Sequence, residues 1–393
     1  MKHFDYLILG GGHAGVTAAF SIRETDSCGS IMILEAGPVL SCKRPLLSKS
    51  PLMGWRDANF IEFGEKEYLD HHILHNTNCR IEALDLADRS VCTSDGTYSY
   101  GRCIYALGGM NFIPPFSGSS LPGVFTVRNS SDIHQLKRLA LKDDRGIIIG
   151  GGVIGIEMAA EMRKYGMDVT LLEALPRLMP RQLDEDCARY YTSLFSDIRI
   201  ETGVTIEKIC GGKHAEGVLL ADGRFFPGSI VFVSCGQRPC TAAAEKAGLL
   251  CERGVVVDER MRTSDPNVYA CGDCAQWNGI NAALWSQAGA EGIVAGINAA
   301  GGDRKMTGFD MSLVINCGER SLFAAGDPGN AADERYRFET ILTDKKSFSI
   351  NERPQKAMEK RVYKDGKLVG GCIMGSLAGM KKMKEELSEA ANG

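Results

Sequence analysis

An α/β fold built from two similar strand–loop–helix–strand modules and a smaller C-terminal part is what the sequence predicts, on three observations. A glycine-rich loop, Gly10-Gly11-Gly12-His13-Ala14-Gly15, follows the apolar run Tyr6-Leu7-Ile8-Leu9. A second loop of the same spacing, Gly150-Gly151-Gly152-Val153-Ile154-Gly155, follows Gly146-Ile147-Ile148-Ile149. Each module then closes on another apolar run that ends in an acid, Glu35 in the first and Glu173 in the second.

In the first module Tyr6–Leu9 reads as a buried strand, a helical pattern runs through Arg23, and Ile31-Met32-Ile33-Leu34 is the second strand. Gly10 permits the tight turn and Gly12 lets the backbone approach a pyrophosphate. Gly15 lets the helix pack on the strand. The helix start, with His13 and Ala14, offers its amides to phosphate charge. Glu35, placed after the second strand, accepts hydrogen bonds from a ribose. Strand, loop, helix, strand and acid in this order define a Rossmann-like dinucleotide-binding unit.

The second module repeats the pattern. A helix is expected over Ile156–Tyr165 with Gly166 as its stop, and Val169-Thr170-Leu171-Leu172 leads to Glu173. An acid there favours a free ribose 2′-hydroxyl, because a 2′-phosphate would be repelled. Ala174, Leu175 and Pro176 follow with no Arg among them, so NADH is expected over NADPH. Two dinucleotide sites in one chain suit a hydride relay better than a binding module.

Composition limits the alternatives. The 393 residues are 44% hydrophobic and 24% charged, which is enough chain for two or three domains. No run approaches the ~20 apolar residues of a membrane span. The apolar part of Met1–Leu9 is too short for a signal peptide and is needed as a strand, so a cytoplasmic protein is expected. A net charge of −4 argues against general nucleic-acid binding. The 14 cysteines are scattered and read mostly as reduced, buried residues. Cys271-Gly272-Asp273-Cys274 has no second Cys-x-x-Cys to complete a metal site, so no metal is expected.

Further motifs fall into line behind the two loops: Tyr105-Ala106-Leu107-Gly108-Gly109, Ser234-Cys235-Gly236-Gln237-Arg238-Pro239, and Thr263-Ser264-Asp265-Pro266-Asn267-Val268-Tyr269-Ala270-Cys271-Gly272-Asp273. With them the chain resembles the two-dinucleotide-fold flavoproteins of the pyridine nucleotide–disulfide oxidoreductase superfamily. The resemblance implies tightly bound FAD, with NADH as substrate. The stretch around Ala106 and Gly108 would be the crossing from the FAD to the NAD domain, with Leu107 where Thr is usual. The stretch around Gly236 would be the return crossing. Asp273 would hydrogen-bond the FAD ribitol. The implied domains are a discontinuous FAD domain (1–118 and 240–303), an NADH domain (119–239) and a C-terminal α+β domain (304–393). In that third domain Arg361–Gly371 reads as a hairpin on an Asp-Gly turn. Third domains of this family pack near the flavin or carry dimer contacts, which leaves a homodimer open.

The branch depends on the segment after Glu35. Dithiol branches carry Cys-x4-Cys there and a C-terminal His-Pro pair; this chain has neither, and no His beyond His214. Arg44-Pro45-Leu46-Leu47-Ser48-Lys49 instead resembles the Arg-Pro-x-Leu-Ser-Lys stretch of NADH-dependent ferredoxin and rubredoxin reductases. The flavin module of nitrite reductase is similar as well. In those relatives the lysine approaches flavin N5 and pairs with a glutamate of the NAD-domain helix; the matching residues are Lys49 and Glu157. A cation there stabilises the charge of reduced flavin, and the carboxylate keeps it placed. Trp285 resembles the aromatic near the flavin in these reductases, with a core Trp opening a helix as the plainer reading. Between Arg353 and Lys384 nine Lys or Arg (353, 356, 360, 361, 364, 367, 381, 382, 384) stand against Glu359 and Asp365, a basic stretch that would steer a small acidic iron–sulfur or rubredoxin-type acceptor.

Two alternatives stay open at this stage. Flavin NADH peroxidases, oxidases and CoA-disulfide reductases use one cysteine in this loop, and some carry a His in the first glycine loop. Cys42 and His13 match those features, although Cys42-Lys43 departs from their usual Cys-Gly. A flavoprotein that binds NADH without turnover is the third reading.

Overall fold

The computed structural model describes residues 1–49, 52, 57–141, 144–345 and 355–392. The chain forms two compact units. The first takes Met1–Pro45, Arg56–Met110 and Gln237–Asp310; the second takes Leu46–Trp55, Asn111–Gly236 and Met311–Gly393.

At the centre of the first unit, strand Lys2–Leu9 lies between two parallel neighbours. Ile31–Leu34 pairs on one side (Leu9 opposite Leu34) and Gly96–Tyr105 on the other (Leu9 opposite Tyr105). Ile73–Asn76 extends the sheet in parallel beyond Ile31–Leu34. Ser90–Thr93 and Ile81–Asp85 extend the far side as antiparallel strands, and Val268–Ala270 returns to pair with Cys103–Tyr105. Leu7, Ile8, Leu9, Ile31, Ile33 and Leu34 are all buried. This near-continuous apolar run is what a parallel strand covered on both faces requires.

Two helices of this unit, His13–Thr25 and Trp285–Ala299, touch backbone to backbone. A Cβ on Gly292 would fall on the Ala14 carbonyl oxygen, and one on Gly296 on that of Ala18. Small residues one turn apart on both helices allow the close approach. Any larger side chain at 292 or 296 would separate the helices.

The second unit has its own five-stranded parallel sheet, in the order Arg199–Thr202, Asp168–Glu173, Arg145–Ile149, Ile230–Val233, Val124–Phe125. Its loop helix, Val153–Lys164, starts three residues before the predicted Ile156 because Gly152 itself is the N-cap. Gly166 adopts φ +96° and the Met167 amide returns to the Met162 carbonyl at 3.1 Å, which ends the helix where the sequence predicted.

The C-terminal residues form an antiparallel sheet, in the order Leu313–Ile315, Leu322–Gly326, Lys367–Met374, Gln355–Lys364, Tyr336–Lys345. Helix Met380–Asn392 covers it through Met383, which packs with Phe323 and Ile373. The hairpin predicted over Arg361–Gly371 is present, with Asp365 and Gly366 at φ +50° and +78°, the pair of positive φ that an Asp-Gly turn supplies. This sheet is tied to helix Glu185–Ser193 of the same unit. The buried Lys360 pairs with Asp184, the helix N-cap, and the Tyr191 hydroxyl donates to the Arg320 carbonyl at 3.0 Å. Among the described residues no helix is long and apolar enough to cross a membrane.

Candidate functional site

The two glycine loops are built alike, down to the same latch. In the first, Gly10 has φ +105°, and a Cβ there would fall on the Ala106 carbonyl oxygen. In the second, Gly150 has φ +108° and the same conflict with the Ser234 carbonyl. Glycine is therefore required at both turns, and each turn rests on the strand end that leads into a crossing motif. Gly15 and Gly155 lie equally close to the carbonyls of Gly10 and Gly150, so each helix begins against its own loop.

The acids close the latch. Glu35 accepts the Gly11 amide at 2.7 Å and the Gly37 amide at 2.6 Å. Glu173 accepts the Gly151 amide at 2.5 Å and the Leu175 amide at 2.7 Å. Each carboxylate oxygen keeps a second lone pair for a ribose hydroxyl. Leu40 and Leu178 occupy equivalent places against Gly11 and Gly151.

The Gly12 and Gly152 positions at the two helix starts are uncrowded. Neither helix has a side-chain cap: Gly12 caps His13–Thr25 and Gly152 caps Val153–Lys164, both without a side-chain hydrogen bond. The first amides of each helix thus stay available to an anion. A Cβ on Gly12 would stand 3.9 Å from Arg44 Nη2, whereas one on Gly152 would meet nothing within 4 Å. Uncapped amides and latched acids fit a dinucleotide at each loop, with a guanidinium beside the first.

Other predicted residues of the first unit have partners of their own. Ala106 is buried and its amide donates to Leu9 at 2.8 Å, while the Gly108 carbonyl accepts the Cys240 amide at 2.8 Å. Asp273, half-buried, accepts Gln237 Nε2 at 3.1 Å. His13 Nδ1 lies 2.9 Å from Glu62, and its ring stacks on Trp285 at 3.9 Å between centroids. Gly289 makes the stack possible, since a Cβ there would stand 2.6 Å from His13 Nε2. Trp285 is indeed the first residue of its helix. Pro45 follows Arg44 in a short 3-10 turn, Arg44–Leu46.

The second unit brings Lys49 to Glu157. Lys49 Nζ stands 3.6 Å from Glu157 Oε1, and the Ser48 hydroxyl donates to Oε2. Glu157 is buried, and its burial pushes the carboxyl up against the opposing pull of Lys49 and Ser48. The pair therefore joins a desolvated carboxylate to an ammonium that is one-third exposed. In the same unit the Gly236 carbonyl accepts the Phe112 amide at 2.9 Å.

Three features escaped the sequence. Glu62, the partner of His13, sits in a segment with no motif. Ser48 is inside a motif but carries no visible charge signal. Glu161, which accepts the Leu52 amide at 3.1 Å, stands one turn beyond Glu157 and was readable only as an i, i+4 spacing.

The basic stretch resolves differently from its count. Lys360 is buried with Asp184, Arg361 is held between Glu359 and Glu386, and Lys381 and Lys382 pair with Glu385 and Glu386 one turn on. Arg353 lies outside the described residues, as does the side chain of Lys356. Counting Lys and Arg overlooked these neutralising partners, so the stretch is not a uniform basic face. Cys42 forms a bridge with Ile61 and is half-buried. Cys271 and Cys274 are fully buried, and burial pushes the Cys274 thiol up to about 12, which suits unreactive thiols. Among the described residues no group of three His, Cys, Asp or Glu is placed to hold a metal.

Comparison with known proteins agrees with this geometry. The family model for pyridine nucleotide-disulphide oxidoreductases matches residues 4–292. The 5,5'-dehydrodivanillate O-demethylase ferredoxin reductase subunit of Sphingobium sp. (strain NBRC 103272 / SYK-6) is 36% identical over 281 residues, covering 70% of this chain and 68% of that one. The rubredoxin-NAD(+) reductase of Pseudomonas putida is 32% identical, covering 68% of this chain and 71% of that one. The crystal structure of the ferredoxin reductase for the CYP199A2 system from Rhodopseudomonas palustris superposes with a TM-score of 0.85 at 27% identity, covering 96% of this chain and 93% of that one.

Proposed function

The chain belongs to the pyridine nucleotide-disulphide oxidoreductase family, and on that premise we propose that it is an FAD enzyme that oxidises NADH and reduces a small ferredoxin- or rubredoxin-type carrier. The observation that carries the reading is the duplicated latch: two uncapped loop helices, each with its acid fastened to the loop. One such loop would make a binding protein, whereas two give a donor and an acceptor of hydride.

In this reading Gly10, Gly12 and Gly15 hold the FAD diphosphate beside Arg44, Glu35 takes a ribose hydroxyl and Asp273 a ribitol hydroxyl. His13, Ala14, Ala106, Gly108, Pro45 and Trp285 complete that site. Gly150, Gly152, Gly155 and Glu173 hold NADH, with Gly236 at the return crossing. FAD, when bound, supplies the hydride acceptor and then the single-electron steps towards the carrier. Lys49 contributes a fixed positive charge, and Glu157 keeps that charge oriented. Glu173 disfavours a 2′-phosphate by charge and so selects NADH. The relatives named as ferredoxin and rubredoxin reductases support the choice of acceptor.

The test is NADH-dependent turnover of the purified flavoprotein with a [2Fe–2S] ferredoxin, a rubredoxin, hydrogen peroxide and CoA disulfide as separate acceptors. Reduction of an iron–sulfur or rubredoxin carrier is expected. Turnover confined to peroxide or CoA disulfide would overturn the reading.

A further inference from the structure

We propose that Glu161 is a positioning residue for Lys49: its buried carboxylate anchors the backbone three residues beyond the lysine and so fixes where the ammonium stands. The proposal rests on the reading of Lys49 given above.

Glu157 and Glu161 are four residues apart on helix Val153–Lys164 and so share one face, a turn apart. Both are buried, at 3% and 2% exposure. Two carboxylates on a buried helix face are costly unless donors meet them, and the segment around Lys49 supplies a donor to each. The Ser48 hydroxyl and the Lys49 ammonium take Glu157, and the Leu52 amide takes Glu161 at 3.1 Å. Leu47 and Leu52 are themselves buried, at 2% and 4% exposure.

Lys49 itself is the loose member. Its side chain is 31% exposed, and where a flexible four-carbon stem can place its ammonium depends on where its backbone starts. The backbone is held at Lys49 and again at Leu52. Upstream, the Lys49 amide donates to the Leu46 carbonyl at 3.1 Å and Ser48 binds Glu157. Downstream, the Leu52 amide donates to Glu161. Glu161 thus acts on the chemistry through the placement of Lys49, without touching the reacting atoms.

The experiment compares the FAD-loaded wild type with Glu161→Ala and Glu161→Gln by amide hydrogen exchange and stopped-flow reduction with NADH. In Glu161→Ala, exchange of the peptide containing Leu52 should rise ~10-fold and the limiting rate of flavin reduction should fall ~10-fold, with FAD still bound. Glu161→Gln keeps an oxygen that accepts the Leu52 amide and should restore both. Unchanged exchange in the alanine variant would overturn the proposal. So would a glutamine variant as slow as the alanine one, because charge and not position would then be the cause. Lys49→Met, run alongside, separates the two layers. If it is reduced at the wild-type rate, the reading of Lys49 itself has failed. If it is slow while Glu161→Ala is normal, only the role of Glu161 has failed.

Discussion

Lys49 Nζ stands 3.6 Å from Glu157 Oε1, and the other oxygen of that carboxylate is taken by the Ser48 hydroxyl. The glutamate is thus held by two adjacent residues of one segment, and the lysine cannot move far without giving up its counter-charge in a desolvated setting. Replacing Lys49 by Met keeps the length of the stem and removes the charge. Flavin reduction by NADH should slow ~10²-fold while FAD remains bound, as read by stopped-flow absorbance and by the flavin content of the purified protein.

Gly150→Ala separates the two nucleotide sites. The substitution combines φ +108° with a Cβ on the Ser234 carbonyl, a strain of ~1–2 kcal/mol from the backbone alone. The protein should purify with its flavin yet bind NADH at least ~10-fold more weakly. Gly10→Ala should instead give colourless protein. Flavin spectra and NADH titration of both variants check the assignment of the loops.

Glu173→Ala should relax the choice of nucleotide. The acid now fills the Gly151 and Leu175 amides, and its loss frees donors and removes a repelling charge. The ratio of kcat/KM for NADH over NADPH should fall ~10-fold or more, mainly through weaker use of NADH. An unchanged ratio would show that selectivity lies elsewhere.

Glu291 sets a pH dependence of stability. It is buried, accepts the Gly272 amide at 2.7 Å, and burial pushes its carboxyl up to about 8. A carboxyl raised in the folded state stabilises most below its unfolded value of ~4.3, and that contribution is lost as pH rises through the folded value. Glu291→Gln keeps the acceptor and removes the titration. The Tm of the variant should therefore gain on that of the wild type between about pH 5 and 8, as measured by thermal scans of the flavin-loaded proteins.

Local pattern made the loops, their closing acids and the hairpin legible, because each is set within one strand–helix–strand unit or one turn; the bonds from those acids back to the loop amides were not legible. Lys49 and Glu157 are also paired from the sequence, but through family resemblance: they stand 108 positions apart, and no periodicity links them. Glu62 beside His13, and Glu161 beneath Leu52, had no such motif to announce them. The basic stretch misled for a related reason. A charge count sees Lys360 and Arg361 but not Asp184 and Glu386, which the fold brings against them. The tight packing of Gly292 and Gly296 on Ala14 and Ala18 was readable in principle as two small residues a turn apart, yet only the fold says which helix they meet.

If the flavin alone carries electrons from NADH to the carrier, an anaerobic reductive titration followed by flavin absorbance should reach full reduction after about two electrons per FAD. Uptake of about four would mean that a cysteine cycles with the flavin, with Cys42 the first to examine, and would contradict a flavin-only path.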